Sequence, residues 1–361
     1  YPFLILLLLI ARIKGTLFGY IYGMNDIARF SARDFLRSAL TLLFVISMHH
    51  LWGLAGALGG IFLTETCLLV LSIVWTRDTL FLKPGPIRWA TLRPHLLFGF
   101  SFYIPMLLLG LLHRAGTPLI EVLTGETEHV GYFDVANQYV TMTGAFLSLI
   151  FTTLLPSLTH MHLNDDHSEI GRWQATTMAY CGIVFVLTAH ALTLVGHDVI
   201  IGCLGDAFAP IYPCAVVLTP AIPAMLIIYA GMNYTLLRKE PRRFPLAILG
   251  GLVVMLVASP FCIPRWLGVG AAAASILGYF ASAAIIVHYY RDEFIPMLVG
   301  FGKVLLLGCL LIPLHFIPLG LVGRMVILML SCAGFAAAAF GIGIVDFSDV
   351  RKVMDSITKK A

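Results

Sequence analysis

Residues 244–263 read FPLAILGGLVVMLVASPFCI, an uncharged run bracketed by Arg242 and Arg243 before it and Arg265 after it. A helix rises about 1.5 Å per residue, so a run of this length matches the roughly 30 Å hydrocarbon core of a bilayer. The run is too long, and too poor in period-two alternation, for a barrel strand. Residues 267–290 form a second apolar run, entered through Leu267-Gly268-Val269-Gly270-Ala271-Ala272. The pair predicts an outward helix, a tight Gly-rich turn and an inward helix.

The same criterion finds eleven segments in the 361-residue chain: 2–24, 35–51, 53–75, 96–120, 131–155, 173–195, 211–236, 244–263, 267–290, 295–316 and 320–344. Composition agrees with this count. Hydrophobic residues make up 59%, charged residues 12%, and mean hydropathy is +0.93. An average soluble protein carries about 25% charged residues. A soluble enzyme, a nucleic-acid-binding module and a disordered chain are all excluded, and an all-α polytopic membrane protein is predicted. The seven cysteines form no CxxC pair and sit mostly in apolar runs, which reads as small core residues rather than disulfides or a metal site.

Charge placement gives the orientation. Of 23 Lys and Arg, eighteen fall on the side of the 76–95 loop, including the clusters Arg77–Arg93 and Arg238–Arg243, whereas Arg265 and Arg324 alone fall on the other. The positive-inside rule makes the first side cytoplasmic, together with the tail 346–361. The chain begins on Tyr1 inside an apolar run, without the basic start of a signal peptide. This reads as a fragment whose earlier helices are missing.

A weak repeat is present. Gly23-Met24-Asn25 ends the first segment and Gly231-Met232-Asn233 the seventh; each precedes a basic stretch, an outward helix, a Gly-rich turn and an inward helix. The turns are Trp52-Gly53-Leu54-Ala55-Gly56-Ala57 and Leu267 to Ala272, so the offset drifts from 208 to 215 residues. Copies running in one direction make a parallel repeat, as in two-lobed alternating-access transporters. The predicted organisation is a last-three-helix remnant of an N-lobe (1–75), a cytoplasmic linker (76–95), a six-helix C-lobe (96–290), an appended helix pair (291–345) and a tail (346–361). Eleven helices would then remain of fourteen.

Five passages carry a family resemblance. They are Gly99-Phe100-Ser101-Phe102-Tyr103-Ile104-Pro105, Val130-Gly131-Tyr132-Phe133-Asp134-Val135-Ala136, Leu155-Pro156-Ser157-Leu158, Gly205-Asp206-Ala207-Phe208 and Gly268-Val269-Gly270-Ala271-Ala272. In order and spacing the chain resembles the polysaccharide and O-antigen flippases (Wzx type) of the multidrug/oligosaccharidyl-lipid/polysaccharide superfamily, which have a MATE-like two-lobe fold. It departs at Asp134, where the family commonly has a small or neutral residue, and in lacking the first three helices. The resemblance implies a multi-pass protein of the bacterial inner membrane that flips undecaprenyl-pyrophosphate-linked oligosaccharide by lobe rocking. It also implies the glycolipid, membrane lipids and polysaccharide polymerase machinery as partners, and no cofactor, metal or nucleic acid.

Ionisable groups at membrane depth cost roughly 2.5–3.5 kcal/mol on insertion scales, so they face a cavity or a partner. Arg12 and Lys14 interrupt the first segment, and Arg114 the fourth, seven residues before Glu121 on what reads as one helix face. These cations are candidates for the pyrophosphate; the alternatives are interfacial snorkelling for the first two and a structural ion pair for Arg114. Asp134, Asn137, Gln138 and Thr141 recur at i, i+3, i+4 and i+7, a polar stripe suited to sugar hydroxyls or to interhelical hydrogen bonding. Glu65 and Asp134 are candidates for ion coupling, with Glu65 alternatively a buried partner of Arg12 or Lys14. His190 is a weaker candidate for the proton relay, the alternative being a satisfied intrahelical histidine. Pro105, Pro220, Pro223 and Gly278 are expected to bend helices.

Walker A, HExxH, GxSxG and GxGxxG fingerprints are absent in any suitable context. The competing readings are a cation-coupled multidrug exporter of the same superfamily, which needs an acidic cavity, and a polymerase or ligase, which needs external catalytic carboxylates. Three carboxylates (Glu65, Glu121, Asp134) balance the three intramembrane cations, which gives no acidic excess.

Overall fold

The computed structural model describes residues 2–23, 27–77, 89–164, 167–238, 240 and 242–343. Among them there is no strand. The helices are α1 (Pro2–Gly23), α2 (Ile27–Thr76), α3 (Trp89–Arg114), α4 (Gly116–Thr124), α5 (Thr127–Leu163), α6 (His167–Leu204), α7 (Ile211–Leu218), α8 (Ala221–Leu237), α9 (Arg243–Tyr289), α10 (Arg291–Cys309) and α11 (Leu321–Gly341). Short 3-10 turns lie at Asp206–Phe208 and Ile312–Phe316. By length and composition six helices are able to cross a membrane, or up to eight if each of two bent pairs is one span. The protein is an all-α, multi-pass membrane protein.

Two of the six crossing helices are hairpins. In α2 the backbone leaves helical geometry at Trp52 and Gly53, and in α9 at Leu267. Small residues let the arms touch. A Cβ on Gly56 would sit 1.9 Å from the Met48 carbonyl oxygen, and one on Gly270 would sit 2.1 Å from that of Cys262. Close backbone approach through glycine is a recurrent way to pack membrane helices, where apolar side chains gain nothing by leaving lipid. The eleven predicted segments correspond in order to α1, the two arms of α2, α3 with α4, α5, α6, α7 with α8, the two arms of α9, α10 with its 3-10 extension, and α11.

The hairpins also refine the repeat. Gly53 (φ 59, ψ −141) and Leu267 (φ 52, ψ −124) share one unusual conformation. Each is followed three residues later by the glycine that meets a carbonyl eight residues back. Gly53 therefore matches Leu267 and Trp52 matches Trp266, an offset of 214 at the turn, where the sequence pairing of Trp52 with Leu267 is one residue out of register. Both tryptophans are exposed. Met24 and Asn25 of the first GMN lie outside the described residues, as do 78–88 of the linker and the tail. Gly231-Met232-Asn233 is buried within α8 rather than at its end.

Other expectations need correction. The 96–120 segment is broken: α3 and α4 bend by 47° at Ala115. Pro118 explains this locally, since it donates no hydrogen bond to the carbonyl four residues earlier. Pro220 stands, as expected, at a second break, where the segments on either side of it bend by 49°. The connections at 156–172 and 196–210 are mainly helical. α5 and α6 have 37 and 38 residues, so each is about 55 Å long and exceeds the hydrocarbon core.

By internal contacts the chain divides into Tyr1–Trp89 and Ala90–Ala361. In the first unit α1 packs on α2. In the second, α5 packs on α7 and α8, α8 on α9, and α6 on α10. Its core is built from apolar side chains such as Phe133, Phe151, Tyr279 and Phe294, interleaved with glycines: Gly231 meets Ile286, Gly144 meets Met225, and Gly251 meets Ser282.

Candidate functional site

In the first unit, helix periodicity separates the two cations of α1. Positions 12 and 14 are about 200° apart around a helix. Lys14 turns inward and is 8% exposed, while Arg12 lies on the exposed face with Thr16, whose hydroxyl donates to the Arg12 carbonyl. Lys14 Nζ makes an ion pair with Glu65, itself buried in the second arm of α2. Arg37, on the first arm, brings Nε to 3.7 Å from the other carboxylate oxygen. Lys14, Arg37 and Glu65 lie nine to eleven positions from Gly23, Ile27 and Thr76, which sets all three about 14–17 Å from those helix ends. The result is one buried carboxylate between two cations, with net charge +1. Nearby, Phe18 packs edge-on against Trp75, Arg33 lies over the Phe18 ring at 5.0 Å, and Arg29 donates to the Trp75 carbonyl.

In the second unit the break between α3 and α4 gathers most of the remaining candidates. Asn137 is buried, and its amide donates to the His113 carbonyl at 2.7 Å. The His113 ring hydrogen-bonds to the fully buried Tyr279 hydroxyl of α9. Gly116 makes room for Phe133 and Ser275. Asp134 accepts long hydrogen bonds from Thr117 (3.4 Å) and Gln138 (3.5 Å). The Thr141 hydroxyl turns back onto its own helix. The stripe on α5 is therefore divided: Asn137 braces the break, Asp134 and Gln138 form a half-exposed polar pair, and Gln138 is exposed. Arg114 and Glu121 are both exposed, but the break between them removes the shared helix face that their spacing suggests.

The sequence reading brings Lys14 and Glu65 together through its alternative of a buried partner. Arg37, one of the eighteen basic residues that the positive-inside rule places on the cytoplasmic side, was not among the expected site residues, nor were His113 and Tyr279. Arg37 was within reach of the hairpin prediction, because positions 37 and 65 lie at similar distances from the turn at 52–53. His190 makes its ring contact outside its own helix, to Ser331 of α11.

No family model and no curated protein sequence matches the chain. Among solved structures, the lipid II flippase MurJ in its inward closed conformation superposes with a TM-score of 0.66, over 91% of this chain and 72% of that one. The fold is similar to that of MurJ. Sequence identity is 10%, so the likeness is one of architecture.

Proposed function

We propose that the chain is a flippase that moves polyprenyl-pyrophosphate-linked oligosaccharide, the repeat unit of an O-antigen or exopolysaccharide, across the bacterial inner membrane by alternating access. The observation that carries this reading is the architectural likeness to MurJ over 91% of the chain. The Wzx-type motifs and order, from Gly99 to Ala272, favour a polysaccharide repeat unit as the cargo.

In this proposal Arg12 and Arg114 present exposed guanidinium groups to the pyrophosphate, where forked hydrogen bonds suit phosphate oxygens. Lys14 contributes through the net positive charge of its cluster with Arg37 and Glu65, since its ammonium is already committed to Glu65. Asp134 and Gln138 face sugar hydroxyls, and Asn137 keeps the helix break in shape beside them. Two cations hold Glu65, which leaves Asp134 the better of the two carboxylates for ion coupling. Residues 1–75 and 96–290 act as N- and C-lobe, with the C-terminus cytoplasmic. The cation-rich surroundings of Glu65 do not suit an exporter of organic cations.

The test uses the full-length gene in a strain lacking its own flippase. Wild type is compared with Arg114→Ala and Arg12→Ala at matched membrane expression, with surface polysaccharide as the readout. Loss of polysaccharide in the variants is expected. Full complementation by both variants would remove these residues from the head-group site. If wild type restores no polysaccharide but confers resistance to cationic drugs, the exporter reading replaces this one.

A further inference from the structure

His190 and His315 meet where α6 nears its Leu204 end, apart from the groups invoked for transport. Their ring centroids are 4.9 Å apart and nearly perpendicular. His190 is 4% exposed and His315 is half-buried. Each ring's protonation follows from counting donors and acceptors around it.

For His190 the count gives a neutral ring. The Ser331 hydroxyl has one proton, and it donates to the Leu328 carbonyl at 3.1 Å. The oxygen then accepts from His190 Nε2 at 2.8 Å. Nδ1 is buried without a hydrogen-bond partner. A buried N–H with no acceptor is far less tolerable than a bare lone pair, so Nδ1 carries no proton.

His315 has two states within reach. Its Nδ1 lies 3.0 Å from the Ile312 carbonyl, which only accepts, so Nδ1 is protonated. Its Nε2 lies 2.6 Å from Thr193 Oγ1, which is also 2.9 Å from the Ala189 carbonyl and 3.1 Å from that of His190. With His315 neutral, the Thr193 proton turns to Nε2 and leaves both carbonyls. With His315 cationic, Nε2–H donates to Thr193, whose hydroxyl donates to a carbonyl of its own helix. Rotation of one hydroxyl accommodates the arriving proton without moving a heavy atom.

We propose that His315 is a proton-binding site, with Thr193 as its hydroxyl rotor and His190 kept neutral beside it by its buried, unpartnered Nδ1. The bound proton ties the Ile312–Phe316 turn to α6 through a charge-assisted hydrogen bond to Thr193. The surrounding titratable and charged groups are consistent with one added proton. Tyr212 of α7 donates to the Thr193 carbonyl at 3.0 Å and packs against His197. Asp198 pairs with Arg324 of α11 at 2.9 Å and lies 3.9 Å from His197, so those charges largely cancel. α11 also carries Cys332, and α10 the exposed Lys303. The inference stands apart from the transport reading, because it concerns a proton and needs no cargo.

The test is ring-nitrogen NMR of the full chain, labelled at histidine and held in lipid nanodiscs, between about pH 5 and about pH 8, the range in which histidine titrates. One ring, missing from H315Q, is expected to pass from neutral to imidazolium, while His190, assigned with H190Q, stays in the Nε2–H form. T193V is expected to shift the His315 midpoint by about half a pH unit or more, roughly threefold in proton affinity, and T193S to restore it. T193V keeps both imidazoles, so this arm does not depend on H315Q folding. A His315 ring fixed in one form, a T193V midpoint equal to wild type, or titration of His190 instead overturns the proposal.

Discussion

Lys14→Met removes the nearer of the two cations that hold Glu65. The carboxylate stays buried, with its side chain 9% exposed, and keeps only Arg37 at 3.7 Å, whose side chain is 59% exposed. Stranding one partner of a buried ion pair costs about 3–5 kcal/mol. An exposed partner offsets this by about 0–1 kcal/mol, so the expected loss is about 2–5 kcal/mol. Adding Glu65→Leu removes the stranded charge. Buried pairs replaced by apolar side chains are often neutral or better, so the double variant is expected within about 1 kcal/mol of wild type. The single and double variants are compared by reversible SDS unfolding of the full chain, followed by tryptophan fluorescence. A Lys14→Met protein within about 0.5 kcal/mol of wild type, as for ordinary surface changes, would refute the reasoning. So would a double variant weaker than Lys14→Met.

Three further outcomes follow from the hairpins and the helix break. Gly53→Ala meets open space but must hold φ near +59, so it is expected to lose about 1–3 kcal/mol from backbone strain alone, read in the same unfolding assay. Gly270→Ala places a Cβ 2.1 Å from the Cys262 carbonyl oxygen and forces the arms of α9 apart; a loss of at least about 1–3 kcal/mol is expected, and wild-type stability would show that the arms do not touch. Asn137→Leu leaves the His113 carbonyl without its side-chain donor, for a loss of about 1–3 kcal/mol and faster amide exchange at residues 113–119; unchanged exchange there would count against the brace.

The spans were legible because hydropathy and helix length act locally: every segment from 2–24 to 320–344 needs only its own residues. The opposite placement of Arg12 and Lys14 was equally available, since it follows from helical pitch. The break at Ala115 was hidden because its cause, Pro118, lies three residues away inside an apolar run. The register of the second hairpin slipped by one because Leu267 occupies a conformation that sequence reading assigns to glycine. Arg37 was misjudged because basic residues near a helix start serve topology and ion pairing alike. Asn137 and His315 depend on partners from other helices, and no local pattern in the sequence encodes such meetings.

The length of α6 has a mechanical consequence. Its 38 residues run without an internal break from His167 to Leu204, a rod of about 57 Å. Pivoting such a rod by about 5° about one end sweeps the other through about 5 Å, close to one helical turn. α10 and α11 lean against this rod, so a small tilt about its His167 end reaches the Leu204 end as a lever stroke.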